Sequence, residues 1–192
     1  MRTVFDGVVP NANSAPIRLG IGEPKHPTRA LIGQAMAQAP NSLSTYPATN
    51  GIPGLRVACA NWVKRRYQLD IDPNTQVLPV NGTREALFAI AQTVIDASQA
   101  GALVVCPNPF YQIYEGAALL AGATPVFAPS DAARNFAVDW SSINDEQWAN
   151  TQLLYVCSPG NPAGAVMPLQ EWQQLFDLSD QHGFVIASDE CY

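Results

Sequence analysis

Histidine, lysine and long apolar runs are what this 192-residue sequence has least of. Histidine occurs twice, and lysine only as Lys25 and Lys64. The four cysteines (Cys59, Cys106, Cys157 and Cys191) are spread widely, with no CxxC pair and no histidine cluster beside them. That argues against a zinc site or a disulfide framework, and for reduced buried thiols in a cytoplasmic protein. No apolar run approaches the ~20 residues of a membrane span. The first residues, MRTVFDGVVPNANSAPIRL, lack the uninterrupted apolar stretch of a secretory signal. Basic residues are outnumbered, 10 against 16 acids, for a formal charge of −6. A net anion is poorly suited to nucleic acid or an anionic membrane, so neither is expected as a partner. Neither GxxxxGK[ST] nor GxGxxG occurs. What is present is 47% apolar and 14% charged residues, enough to bury the core of one domain or a little more.

Pro10, Pro16, Pro24 and Pro27 break up the start of the chain. Over residues 28–39, Leu31, Ile32, Ala35, Met36 and Ala39 recur at helical spacing. A turn-rich loop, NSLSTYPATNGIPG, precedes a second expected helix over residues 55–67. There Cys59, Trp62 and Val63 are expected on the packed side, with Lys64, Arg65 and Arg66 on the solvated one. From residue 76 short apolar runs alternate with helical patterns: QVLPV, REALFAIAQTVIDA, ALVVC, YQIYEGAALLA, TPVFA, then QLLYVC, LQEWQQLFDLSDQH and FVIAS. The runs have strand length and are apolar throughout, as strands covered on both faces are. The reading is α/β, a three-layer sandwich with a mostly parallel sheet. In such sheets ligands bind beyond the carboxyl ends of the strands.

Several of these ends carry unusual residues. Asn81-Gly82-Thr83-Arg84 precedes a helix, whose free N–H groups with Arg84 would suit a phosphate; on this segment alone an ordinary turn with a threonine cap is the simpler reading. In Ser158-Pro159-Gly160-Asn161-Pro162-Ala163-Gly164, Asn161 is the lone amide, able to bond a ligand hydroxyl or its own turn. Asp189-Glu190-Cys191-Tyr192 puts carboxylates at the end of a buried strand. A buried Asp189 would need a cation, for which a protonated ring nitrogen of a cofactor would serve; two acids surfacing at a strand end is the alternative. Tyr111, in NPFYQIY, could stack on a planar ring or belong to the core. Near the start, GIGEP offers close backbone approach to a small ligand, or merely a turn.

Taken in order, GIGEP, YPATNGIPGLR, NGTREAL, NPFYQIYEGAALLAGA, CSPGNPAGAV and SDECY resemble a class I/II aminotransferase of the fold-type I, pyridoxal-phosphate-dependent superfamily. KHPTRALI, LPVNGTREALF and ASDECY are closer still to its bacterial N-succinyldiaminopimelate aminotransferase subgroup, of the lysine pathway. The resemblance implies the cofactor pyridoxal 5′-phosphate. Gly82, Thr83 and Arg84 would hold its phosphate, Tyr111 would stack on its ring, and Asn161 and Tyr192 would bond its 3-hydroxyl oxygen. Asp189 would pair with the ring nitrogen and Gly22 would lie beside the substrate carboxylate. Tyr46 would reach the phosphate in a neighbouring subunit, which implies a homodimer with small amino-acid and 2-oxo-acid substrates. The implied reaction moves an amino group between glutamate and N-succinyl-2-amino-6-oxopimelate. Residues 1–45 are expected as an N-terminal segment and helix, and 46–192 as a partial cofactor-binding large domain, with the C-terminal small domain absent. In the family the Schiff-base lysine lies downstream of the position of Tyr192, and neither Lys25 nor Lys64 matches it. No catalytic residue is therefore expected within these 192 residues. A non-catalytic chain that binds the cofactor, or another amino-acid aminotransferase, is the alternative.

Overall fold

The computed structural model describes residues 6–9, 11–15, 17 and 25–191. It divides into two units, Met1–Pro47 and Ala48–Tyr192. The first contains helix α1 (Ala30–Ala37), shorter than the 28–39 expected because Pro27 and Pro40 flank it. Leu31 and Met36 on it are exposed.

The second unit holds α2 (Pro53–Tyr67), α3 (Thr83–Val94), β1 (Leu103–Asn108), α4 (Gln112–Leu120), β2 (Thr124–Asp131), β3 (Ala137–Val138), α5 (Asp145–Asn150), β4 (Thr151–Cys157), α6 (Leu169–His182) and β5 (Val185–Asp189). The strands form one five-stranded sheet in the order β3-β2-β1-β4-β5. All neighbours are parallel except the short β2–β3 pair. Alternation along the strands fills two cores. Val104 and Cys106 of β1 and Leu153 and Tyr155 of β4 pack with Leu87 and Ala91 of α3 and Tyr114, Ala117 and Ala118 of α4. Val105, Leu154 and Val156 face the other way, onto Trp148 of α5 and Leu175 of α6. Burial on both faces is what makes the strands apolar throughout. The result is the three-layer α/β sandwich that the sequence implies.

Two expectations are corrected. Residues 76–80, read as a strand, form none. Pro79 has no N–H to give a ladder, Leu78 and Val80 are largely exposed, and among the described residues no strand pairs with the segment. Trp62, read as packed, is 52% exposed. The buried face of α2 runs through Arg56 and Ala60, four residues apart, and Trp62 lies off that line. Arg56 is buried, and donates to the Pro73 carbonyl at 3.1 Å and to Asn74 Oδ1 at 3.2 Å. The stretch before β4, where no element was expected, contains α5, started by a capping box between Asn144 and Gln147. The Asn-x-x-Gln spacing was its sequence signal.

The chain runs β1 to β2 on one side, then crosses back to β4 on the other side of β1. The β1/β4 boundary is therefore the switch point of the sheet, where ligands of open α/β sheets bind.

Candidate active site

The loops after β1 and β4 leave the sheet at that switch point, and β5 ends beside them. In register, Cys157 of β4 lies opposite Asp189 of β5. Asp189 is only 7% exposed. A carboxylate there needs partners, and among the described residues no cation pairs with it. The hydroxyl of Tyr114, on α4, donates to Asp189 Oδ2 at 2.7 Å. Tyr114 is itself buried, stacked on Tyr155 with ring centroids 4.5 Å apart and an 11° angle. Tyr155 in turn donates to the Leu87 carbonyl of α3 at 2.5 Å. Burial, then the bond to Asp189, hold the Tyr114 hydroxyl far above the usual phenol range, so it stays protonated.

On the other side of Asp189 is Cys191, exposed, its thiol 3.5 Å from the hydroxyl of Thr83. The Asp189 carboxylate raises the Cys191 thiol, and the contact with Thr83 works in the opposite direction. Thr83 is the first residue of α3, and the cap position belongs to Gly82 at φ +105°. The threonine cap weighed from the sequence is thus a glycine, and no side chain caps the helix. The first N–H groups of α3 are left pointing out, a ready anion site. Arg84 follows, exposed, its Nε donating to the Tyr111 hydroxyl at 3.2 Å. That bond raises the guanidinium further, so its charge is permanent. Tyr111 is half-buried and meets Tyr114 edge-on, with centroids 6.0 Å apart. Between α3 and β5 lies an open cleft of about 450 Å³ lined by Thr83, Leu87, Ile90, Asp189, Glu190 and Cys191.

Asn161 is exposed, its backbone N–H towards the Cys157 thiol. Its loop is closed by Gly160 N–H to the Ala165 carbonyl at 2.8 Å and by Met167 N–H to Ser158 Oγ at 3.0 Å. Asn161 also lines a small pocket with Pro107, Pro109 and Cys157, at the β1 and β4 ends. Thus Gly82, Thr83, Arg84, Tyr111 and Asp189 form one linked cluster, with Asn161 on the adjacent loop. Tyr46 lies in the first unit and is fully exposed. Gly22 and Tyr192 fall outside the described residues. Lys64 is paired with Asp70 on an exposed face of α2. The residue that sequence reasoning missed is Tyr114; its three-residue spacing from Tyr111 was visible, but its partner is 75 positions away.

The cluster brings together an uncapped helix N-terminus beside an arginine, a half-buried tyrosine ring and a buried carboxylate. Residues 14–192 match the family model of aminotransferase class I and II. The chain belongs to the class I and II aminotransferases. Members of this family depend on pyridoxal phosphate. Among the solved aminotransferases it resembles is an aminotransferase from Neisseria meningitidis Z2491, 48% identical, with a TM-score of 0.94, covering 100% of this chain and 49% of that one. Aminotransferase AspB from Helicobacter pylori 26695 is 31% identical at a TM-score of 0.90, with the same coverage. A curated relative, the LL-diaminopimelate aminotransferase of Aquifex aeolicus, is 34% identical over 178 residues, 92% of this chain and 45% of its own length. The chain therefore spans about half the length of the aminotransferases it matches.

Proposed function

We propose that the strand-end cluster cradles pyridoxal phosphate and that the protein carrying it is a transaminase of the cytoplasm. The observation that carries the reading is Asp189: a buried carboxylate beside a helix N-terminus, bonded by neutral hydroxyl and thiol groups and unmatched by any described cation. A cationic ring nitrogen completes it. The α3 N-terminus, with Gly82, Thr83 and Arg84, binds the phosphate dianion; Tyr111 covers a ring face; Asn161 and Tyr192 orient the 3-hydroxyl oxygen. When bound, the cofactor supplies an electron sink for breaking the Cα–H bond of an amino acid. The chain's part is to bind, orient and keep the ring nitrogen protonated through Asp189. Gly22 takes the substrate carboxylate. The exposed Tyr46 reaches a second subunit's cofactor in a homodimer. Residues 1–45 form the N-terminal segment and 46–192 the cofactor-binding part of the large domain.

For the reaction, we favour glutamate plus N-succinyl-2-amino-6-oxopimelate giving 2-oxoglutarate plus N-succinyl-2,6-diaminopimelate. A second reading, transfer from unsuccinylated LL-diaminopimelate, is favoured by the names of its relatives. Two assays with the protein purified from its own cells separate them: 2-oxoglutarate released from glutamate with the succinylated acceptor, and glutamate formed from 2-oxoglutarate with LL-diaminopimelate as the donor. Turnover with the succinylated acceptor, and none from LL-diaminopimelate, is expected; the reverse assigns the second reading, and turnover of neither overturns both. In the active protein Asp189→Ala should nearly abolish the rate, and near-normal rates would show that Asp189 has another role.

A further inference from the structure

We infer that Tyr114 is a positioning residue for the cofactor: by holding Asp189 Oδ2 it aims the rest of that carboxylate at the ring nitrogen. The inference rests on the cofactor reading above and adds to it a residue that contacts neither cofactor nor substrate. Its support is geometric. A carboxylate at a strand end can turn about its side-chain bonds, and each oxygen accepts about two hydrogen bonds. The 2.7 Å bond from Tyr114 fixes one oxygen, so the carboxylate keeps acceptor capacity for a further donor while its orientation is set. Tyr114 cannot drift, because its ring lies flat on Tyr155 and its residue is 1% exposed. Tyr155 is pinned to the Leu87 carbonyl of α3, the same helix whose first turn carries Gly82 and Thr83. The phosphate end and the nitrogen end of the cradle are thereby tied through two stacked rings. The hydroxyl gives up no proton at working pH, so this bond always runs from tyrosine to carboxylate.

The test compares two probes: pyridoxal 5′-phosphate, and its benzenoid analogue in which C–H replaces the ring nitrogen. Each is titrated into the chain and followed by its absorbance. Wild type is expected to prefer pyridoxal phosphate. Tyr114→Phe keeps the ring that stacks on Tyr155, and far-ultraviolet circular dichroism checks its fold. It should lose about tenfold in affinity for pyridoxal phosphate, the loss of one charge-assisted hydrogen bond, and nothing for the analogue. In an Asp189→Ala background Tyr114→Phe should add no further loss. Tyr114→His, which keeps a donor at that place, should retain most of the preference, and it decides the matter if the phenylalanine variant does not fold. Equal weakening of both probes, or of neither, would overturn the positioning role while leaving the cradle intact. A wild-type chain that binds neither probe would overturn the cofactor reading and this inference with it. A wild type that binds both equally would overturn the role of Asp189 first.

Discussion

Asp189 is where the sequence said most. An acid closing an apolar strand is costly if buried without a partner. The sequence thus left two readings, a partnered carboxylate or two surfacing acids, and the structure buries Asp189. What the sequence withheld was the neutral partner: Tyr114 reads as an ordinary helical aromatic, and only the fold of β1–α4 against β5 brings its hydroxyl to the carboxylate. The same neighbourhood predicts the reactivity of Cys191. The thiol is exposed, yet the carboxylate beside it raises its pKa, so at pH 8 it holds less thiolate than a free cysteine. Alkylation by iodoacetamide, read by peptide mass spectrometry, should be slow at Cys191 and several-fold faster in Asp189→Asn. Unchanged rates would place the carboxylate away from the thiol. Bound pyridoxal phosphate should slow the labelling further.

At the scale of elements, the α3 N-terminus depends on one backbone position. Gly82 sits at φ +105°, where a side chain is strained, and an added Cβ would lie 3.1 Å from Glu85 Oε2. Gly82→Ala should cost about 1–3 kcal/mol in urea unfolding and weaken phosphate binding, because relief of the strain turns the first N–H groups away. An alanine variant as stable as wild type would show that the turn relaxes freely. All the helices but α5 were legible because their patterns are long, and four of the five strands because their burial is two-sided. The run at 76–80 misled for a reason that composition hides. A strand needs a pairing partner as well as apolar residues, and Pro79 offers no donor. In α5 the opposite holds: six residues are too short for periodicity, and the capping box carries the signal. The two-residue β3 left no pattern at all, since its pairing with Ser130 and Asp131 is set by the turn between them.

For the molecule as a whole, the core is sensitive to alkali. Burial, and to a lesser extent Glu115, push the Cys106 thiol from its ordinary 9.0 up to about 12. Burial raises Tyr114 and Tyr155 as well. Each of these groups keeps its proton in the folded chain at a pH where the unfolded chain releases it. Folded-state pKa values above the unfolded ones stabilise at low pH and lose that contribution as pH rises. Thermal midpoints should therefore be level up to about pH 8.5 and fall steadily from pH 9 to 12. A midpoint unchanged between pH 8 and pH 11 would contradict the buried placement of these groups. Among the described residues no helix is long and apolar enough to cross a membrane.

On the proposed reading, the ends of β1, β4 and β5 and the start of α3 together hold one phosphorylated pyridine. The most direct measurement is a crystal structure of the chain with pyridoxal 5′-phosphate. Phosphate density is expected at the N–H groups of Gly82, Thr83 and Arg84, with the ring against Tyr111 and the ring nitrogen within hydrogen-bonding distance of Asp189. Density elsewhere on the molecule, or a ring nitrogen turned away from Asp189, would contradict it.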